Sequence, residues 1–433
     1  MLAAPPLELS TTPEQRERMP DLRIWIDATR PAAALPLFGM SLLERALRGI
    51  LQVGLAPTEI CIDFAPGGGE IDLPADLAKR LPLRSSLAEG TTAERLARAF
   101  AERPEQVLIA LEADCVIDPR VIARIAATSG SLAVCGGEGD ERAAVLRLEK
   151  PPSVSAGPGG LDAVARAWLA AGAVHELPLD DVPGYVKELR RQVSAYLFRI
   201  HDAAGIDRTA RFLFWSNYKG STDFFTKYVY PPLVWRLLPP LARWRVHPNW
   251  ISVLNGLLAF GAVPLFAGGW WISAFVCAYV MSVLDSVDGK LARLTYRASA
   301  LGNVLDHGLD LVHPPFWYAA WAWAIGGGPT SVLFQASLWL AGLYFVDRIV
   351  IRLFTWRTSR SIHAYTPLDV RLRTWISRRN INLPLFGVGL LVGAPIAAFW
   401  IIFGWQVATL LFHGQRLAAF WNAKRAAAGA GVA

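Results

Sequence analysis

The sequence predicts a soluble α/β domain followed by an all-α membrane bundle of six helices. Short apolar runs alternate with amphipathic stretches across residues 22–200, which is the pattern of βαβ units and a mostly parallel sheet. From about residue 250 onward, long apolar segments replace that alternation. The chain as a whole carries only 18% charged residues, whereas soluble domains carry about 25%.

The elements of the first part follow from the spacing of apolar residues. Strands are predicted over 22–28, 58–64, 106–117, 131–137 and 143–149. Helices are predicted over 41–53, 92–102 and 121–128, followed by a mostly helical connector over 181–218. We expect residues 1–20 to form a flexible N-terminus and 21–200 to form the α/β domain. Residues 1–20 lack a basic segment followed by an apolar one, so no signal peptide is predicted.

The second part begins with a segment that mixes basic, apolar and aromatic residues. We assign 201–245 to a connector with an amphipathic helix at the membrane surface, and 246–425 to the six-helix bundle. Spanning helices need about 20 residues. The predicted spans lie near 250–266, 270–284, 309–325, 331–354, 383–403 and 405–421. We expect the tryptophans at 317, 321 and 323 to face lipid.

Charge predicts the orientation of this bundle. Lys and Arg are concentrated in the loops near 290–297 and 357–379, while the opposite loops carry no charge, which places the basic loops and both termini in the cytoplasm. The net charge of +7 is explained by this topology, so we expect a multi-pass protein of the inner membrane and no nucleic-acid partner. The four cysteines lack metal-binding spacing and are expected to be reduced.

Two pairs of acids stand at the edge of the apolar segments. Asp285 and Asp288 are three residues apart, and Asp306 and Asp310 are four apart, so each pair shares one helix face. Intramembrane acids are costly, and Mg²⁺ prefers oxygen ligands that it can share with substrate phosphates. The acids therefore predict a site for divalent cations, with an acid-lined transporter as an alternative from another class.

The surrounding stretch resembles a known family. Residues 285–310 match D-x₂-D-G-x₂-A-R-x₈-G-x₃-D-x₃-D, the signature of the CDP-alcohol phosphotransferases, at every fixed position. The segment 247–256 is similar to that family's P-N-x-x-T element, with Ser252 in place of Thr. The resemblance covers about 220–421 and implies an integral membrane enzyme. Such an enzyme moves a phosphate-linked alcohol from CDP to an acceptor hydroxyl and releases CMP.

The resemblance also implies roles for residues. Asp285, Asp288, Asp306 and Asp310 would ligate two Mg²⁺ or Mn²⁺ ions, and Asp310 would also be the general base. The CDP site would be lined by Asn249, Ser252, Gly289, Ala292, Arg293 and Gly302. We expect CDP-diacylglycerol as donor, an alcohol such as a phosphorylated polyol as acceptor, a role in phospholipid biosynthesis, and a homodimer in the bilayer.

The first domain resembles the sugar-phosphate nucleotidyltransferases, which are fused to some members of this family. Residues 24–55 are similar to their opening segment, and 108–119 to their strand that ends in a metal-binding Asp, here Asp114. Residues 28–35 contain no glycine, however, so the backbone cannot easily cradle a triphosphate. We favour a degenerate domain. The alternative is an active cytidylyltransferase within a bifunctional enzyme of the inositol-phosphate type.

Overall fold

The computed structural model describes residues 21–67, 71–150, 157–186, 189 and 191–430. The predicted flexible N-terminus, residues 1–20, lies outside the described residues. Within them, an α/β domain precedes a helical region, as the sequence predicts.

The first domain is built on a seven-stranded sheet with the order β10-β8-β9-β6-β1-β4-β5. These strands are β1 Leu22–Ala28, β4 Glu59–Phe64, β5 Leu83–Leu87, β6 Val107–Glu112, β8 Leu132–Gly136, β9 Ala143–Leu148 and β10 His175–Glu176. The central strand β1 pairs in parallel with β4 and β6, and every one of its residues is buried, as is usual for an interior strand of a parallel sheet. Strand β9 runs antiparallel to both of its neighbours.

Smaller elements complete the domain. The short strands are β2 Pro36–Leu37, β3 Met40–Ser41, β7 Cys115–Ile117, β11 Tyr185–Val186, β12 Arg191–Gln192 and β13 Leu197–Arg199. The helices are α1 Leu42–Gln52, α2 Ala75–Ala78, α3 Thr92–Ala101, α4 Pro119–Ala127 and α5 Leu161–Ala170. Side chains cap several of them: the Ser41 hydroxyl accepts a hydrogen bond from the Glu44 amide, and Thr91 and Glu94 form a capping box on α3.

Two local predictions for this domain were wrong. The strand predicted over 106–117 ends at Glu112, and β7 then pairs with β13 instead of continuing in the large sheet. The connector predicted as mostly helical over 181–218 contains β11, β12 and β13, and its helix begins only at Ala203. In both places pairing with a strand far away in the sequence overrides the local pattern.

The C-terminal region consists of helices. They are α6 Ala203–Ser216, α7 Pro231–Arg243, α8 Pro248–Ala267, α9 Trp271–Leu294, α10 Ala300–Gly326, α11 Val332–Thr358, α12 Pro367–Leu372, α13 Arg379–Leu391 and α14 Pro395–Ala430. Among the described residues, three helices are long and apolar enough to cross a membrane: Pro248–Ala267, Trp271–Leu294 and Pro395–Asn422. The count of six spans therefore stays a prediction.

Aromatic side chains form the core of this helical region. Trp317 and Trp321 are buried, so the expectation that they face lipid was wrong. The Trp321 ring stacks on Phe386 with the ring centres 4.4 Å apart, and the Trp317 indole donates to the Ala259 carbonyl at 2.7 Å. A buried indole N–H is stabilised by such an acceptor, and α8 supplies it for Trp317. Trp323, by contrast, is exposed.

Candidate active site

The four acids that the sequence singles out line one pocket. Asp285 and Asp288 lie on α9, Asp306 and Asp310 lie on α10, and α8 packs against both helices. The pocket lies where α8, α9 and α10 meet. Its other polar lining residues are Ser252, Asn255, His313 and Arg379. The turn between α9 and α10 thus brings the two predicted helix faces together.

Helix α8 fixes the most buried of these acids. Asp288 is 4% exposed, and its Oδ2 accepts hydrogen bonds from the Ser252 hydroxyl at 2.9 Å and the Asn255 amide at 3.3 Å. Its Oδ1 accepts from the Gly289 backbone N–H at 2.5 Å. A buried carboxylate requires such donors, and three of them together determine its orientation.

Arg379, at the start of α13, joins the two acid-bearing helices. Its Nη1 donates to Asp310 Oδ1 and its Nη2 to Asp285 Oδ2, both at 2.8 Å. The planar guanidinium suits this bridge because its donors form a fixed fork. The sequence reasoning missed this residue, since it assigned Arg378 and Arg379 to membrane topology. Their position at the start of an apolar segment was the available signal.

The residues predicted for the CDP site fall into two groups. Ser252 lines the pocket, and the other members lie outside its lining. Asn249 Oδ1 accepts from the Ser299 hydroxyl at 2.8 Å, and that hydroxyl accepts from the Gly302 amide at 3.0 Å. A Cβ at position 302 would lie 2.8 Å from Asn249 Oδ1, so a glycine there allows α8 and α10 to approach. Ser299 was also missed by the sequence reasoning.

The remaining members of that set lie on α9. The guanidinium of Arg293 lies beside Gly289, where a Cβ would come 3.4 Å from its Nη1. Ala292 is half-buried on the same helix. Gly289 directly follows Asp288, and Ala292 and Arg293 lie about one turn further along, on the part of the helix that leads to the α9–α10 turn.

The chemistry of the pocket fits divalent cations. Four carboxylates and a single guanidinium contribute to its lining, so negative charge is in excess at the ends of apolar helices. Carboxylate oxygens are the donors that Mg²⁺ and Mn²⁺ prefer. Bound cations would supply the missing positive charge, and the acids on α9 and α10 would hold them.

The first domain contains a second acidic cluster, where β6 ends. Among the described residues, Glu112, Asp114 and Cys115 each bring one possible ligand atom within 4.8 Å of the others. Arg30 Nη1 lies 3.1 Å from a carboxylate oxygen of each acid. Arg199 pairs with Glu112 and, through Nε at 3.3 Å, with Asp114. Two guanidinium groups therefore already compensate the two carboxylates.

This second cluster does not fit a metal ion, although the resemblance implied one at Asp114. Burial raises the pKa of the Cys115 thiol well above its usual range, so the thiolate that a metal needs is disfavoured. The chain also approaches the cluster closely: a Cβ at Gly160 would lie 2.4 Å from Arg30 and 2.6 Å from Glu112. Glu112, Arg30 and Arg199 were not identified from the sequence.

Two curated proteins are similar to part of this chain. An uncharacterized CDP-alcohol phosphatidyltransferase class-I family protein 1 of Dictyostelium discoideum is 23% identical over 104 residues, which cover 24% of this chain and 22% of that protein. Ethanolaminephosphotransferase 1 of Mus musculus is 29% identical over 102 residues, which cover 23% and 21%. The chain thus matches about a fifth of the length of these relatives.

Two solved structures resemble the first domain weakly. A protein from Bacillus anthracis designated a glucose-1-phosphate thymidylyltransferase has a TM-score of 0.31 at 9% identity, covering 44% of this chain and 94% of its own. A protein from Desulfovibrio desulfuricans designated a nucleotide-diphospho-sugar transferase has a TM-score of 0.26 at 16% identity, covering 37% and 80%. At these TM-scores neither match carries weight for the first domain.

The family model of the CDP-alcohol phosphatidyltransferases matches residues 245–414. The matched range contains helices α8 to α13 and all four acids of the pocket. It begins just before Asn249 and includes both halves of the acid motif. Residues 245–414 therefore form a CDP-alcohol phosphatidyltransferase domain.

Proposed function

We propose that this protein transfers a phosphoalcohol group from a CDP-alcohol to an acceptor hydroxyl and releases CMP. The observation that carries the proposal is the convergence of four carboxylates from α9 and α10 on one pocket within the matched domain. Phosphoryl transfer depends chiefly on positioning and on charge neutralisation, and the pocket is suited to both.

In the proposed reaction the acceptor oxygen attacks the β-phosphorus of the donor. A new P–O bond forms, the bond from the β-phosphorus to the CMP oxygen breaks, and CMP leaves with the bonding electrons. The second oxygen of Asp310 takes the hydroxyl proton, while Arg379 holds the first. Asp285, Asp288, Asp306 and Asp310 would hold two Mg²⁺ or Mn²⁺ ions, which neutralise phosphate charge when bound.

We propose CDP-diacylglycerol as one candidate donor, and the similarity to a mouse protein suggests a second. The mouse relative is named an ethanolaminephosphotransferase, which suggests CDP-ethanolamine with a lipid alcohol as acceptor. A role in phospholipid biosynthesis follows from either pair. We also propose a multi-pass homodimer in the inner membrane, with the pocket open to the cytoplasm beside the basic loops.

For the first domain we propose a structural role and no nucleotidyl transfer. The glycine-free segment after β1 and the pairing of Glu112 and Asp114 with two arginines both support this. The alternative, an active cytidylyltransferase of a bifunctional enzyme, requires CTP-dependent formation of a CDP-alcohol by the full chain. Absence of that product while transfer proceeds would favour the structural role.

The test is CMP release by the full-length protein in detergent with Mg²⁺ or Mn²⁺. CDP-diacylglycerol and CDP-ethanolamine are each offered with inositol phosphate, glycerol phosphate, inositol, serine and diacylglycerol. We expect acceptor-dependent CMP that disappears on chelation, returns with added cation, and is absent from Asp306→Ala. Cation-independent release would contradict the metal site. Solute uptake by vesicles without CMP release would favour the transporter.

A further inference from the structure

The C-terminal end of α9, the helix that carries Asp285 and Asp288, is capped by the other domain. Leu294 is the last residue of α9, and the last carbonyls of a helix have no partner within it. Arg45 of α1 donates from Nη1 to the Leu294 carbonyl at 2.8 Å, and this arginine is only 5% exposed. A positive charge at a helix C-terminus is also favoured by the helix dipole.

Arg45 also contacts Tyr296, which lies two residues after Leu294. Tyr296 has a φ of +53°, in the left-handed region that glycine usually occupies at helix ends. The Arg45 guanidinium lies over the Tyr296 ring, 4.7 Å from its centre. An unfavourable backbone conformation persists only where its surroundings hold it, and here Arg45 supplies the contact.

The two domains share a core at this junction. One buried apolar cluster contains Leu42 of α1, Leu238 of α7, and Leu291 and Leu294 of α9. At position 39, where φ is +73°, a Cβ would lie 2.0 Å from the Ala242 carbonyl oxygen, so backbone meets backbone there. The first domain is therefore packed against the acid-bearing helix itself.

The opposite side of the same turn reaches the predicted CDP site. The turn 295–299 ends at Ser299, whose hydroxyl donates to Asn249 and caps α10. Arg297 donates to the Arg245 carbonyl at 3.0 Å, and Arg245 in turn pairs with Glu44 of α1 at 2.9 Å. A displacement of the turn would therefore shift Ser299 and its contact with Asn249 at the predicted CDP site.

We propose that Arg45 is a positioning residue for the CDP-alcohol site, so that the first domain is a working part of the transferase. Arg45 acts through Leu294 and Tyr296, and it sets the turn that joins the two acid-bearing helices. The inference rests on the proposed function and deepens it, because it assigns donor affinity in part to a residue outside the matched domain.

The test compares Arg45→Ala and Arg45→Lys with Arg95→Ala in the full-length protein. Arg95 is the matched control, since it is 6% exposed and pairs within the first domain with Asp27 and Asp63, away from the junction. We expect Arg45→Ala to raise KM for the CDP-alcohol about tenfold with kcat nearly unchanged, as loss of ground-state binding does. The KM of Arg45→Lys should lie between those of the wild type and Arg45→Ala, because an ammonium can still donate to the Leu294 carbonyl. An unchanged KM, or an equal rise in Arg95→Ala, overturns the proposal.

A second readout separates this inference from the proposed function. Hydrogen exchange of residues 294–303 is measured without substrate, and Arg45→Ala should speed it about tenfold while Arg95→Ala leaves it unchanged. Tyr296→Gly keeps the backbone conformation, removes the ring, and should raise KM like Arg45→Ala. If the wild type releases no CMP, the proposed function fails and exchange alone decides. Faster exchange then supports the positioning role, and unchanged exchange overturns it.

Discussion

The two acidic clusters of this protein differ in where their compensating charge comes from. In the first domain Glu112 and Asp114 face two arginines that the chain itself supplies. In the helical region four carboxylates and one guanidinium line the pocket. Buried carboxylates require compensation, so the first cluster is complete as it stands, whereas the second carries an excess of negative charge that the proposed cations would balance.

The comparison shows why acids alone do not predict a metal site. The sequence likeness that placed a metal ligand at Asp114 rests on the type of residue at the end of a strand. Whether such an acid binds a cation depends on the arginines that reach it, and Arg30 and Arg199 come from segments 84 and 85 residues away. In the pocket the acids outnumber the arginine, and the metal interpretation fits.

The largest effect is expected at the base of the proposed reaction. Asp310→Asn keeps an oxygen that can accept from Arg379, but the amide cannot take a proton. We expect the rate of CMP release to fall about a thousandfold, with CDP-alcohol binding and thermal stability nearly unchanged. Asp369→Asn is the matched control, since Asp369 likewise accepts from an arginine, Arg416, at 2.7 Å, and lies outside the pocket. Near-normal turnover in Asp310→Asn would remove this residue as the base.

Elements with strong local patterns could be predicted from the sequence. Strand β1 and helices α1 and α3 lie within a residue or two of their predicted bounds, because buried apolar runs and capping residues fix them locally. The convergence of the four acids was also predictable, since their spacings place each pair on one helix face.

Contacts between distant segments could not be predicted. Arg379 meets partners 69 and 94 residues earlier in the chain, and Arg45 caps a helix that ends 249 residues later. From a single sequence, such arginines can be interpreted equally well as solvated residues or as residues that face lipid headgroups. Trp317 and Trp321 were misplaced for the same reason, because an apolar helix does not reveal which face is covered by a neighbour.

An intermediate effect is expected where the chain supplies the pocket's single guanidinium. Arg379→Ala should lower kcat about a hundredfold and Arg379→Lys about tenfold, because an ammonium keeps the charge but cannot bridge Asp285 and Asp310 as a fork does. Arg371→Lys, at an exposed position on α12, is the control for charge near the membrane and should behave as wild type. Equal rates in Arg379→Lys and wild type would mean that Arg379 contributes only its positive charge and that the bridge between Asp285 and Asp310 is not required.

No effect on the rate of transfer is expected at the self-compensated cluster, where a substitution should lower stability instead. Arg199→Ala removes one of two charges facing Glu112, and breaking such a buried pair should lower the free energy of unfolding of the first domain by about 3 kcal/mol at pH 7. Urea unfolding of the full-length protein, monitored by the hydrogen exchange of β1 and β6, measures this loss. Arg166→Ala, which breaks an exposed pair with Asp162, should cost less than about 1 kcal/mol.

The pH dependence of that loss distinguishes a buried charge from lost packing. Burial already raises the pKa of Glu112 in the folded state, and removal of Arg199, which lowers it, raises it further. A group with a raised folded pKa stabilises the fold below its unfolded pKa and loses that contribution as pH rises through the folded value. The deficit of Arg199→Ala should therefore be small near about pH 4 and grow towards pH 7. A deficit that is constant with pH would mean that Arg199 contributes packing rather than the charge that closes this cluster to metal.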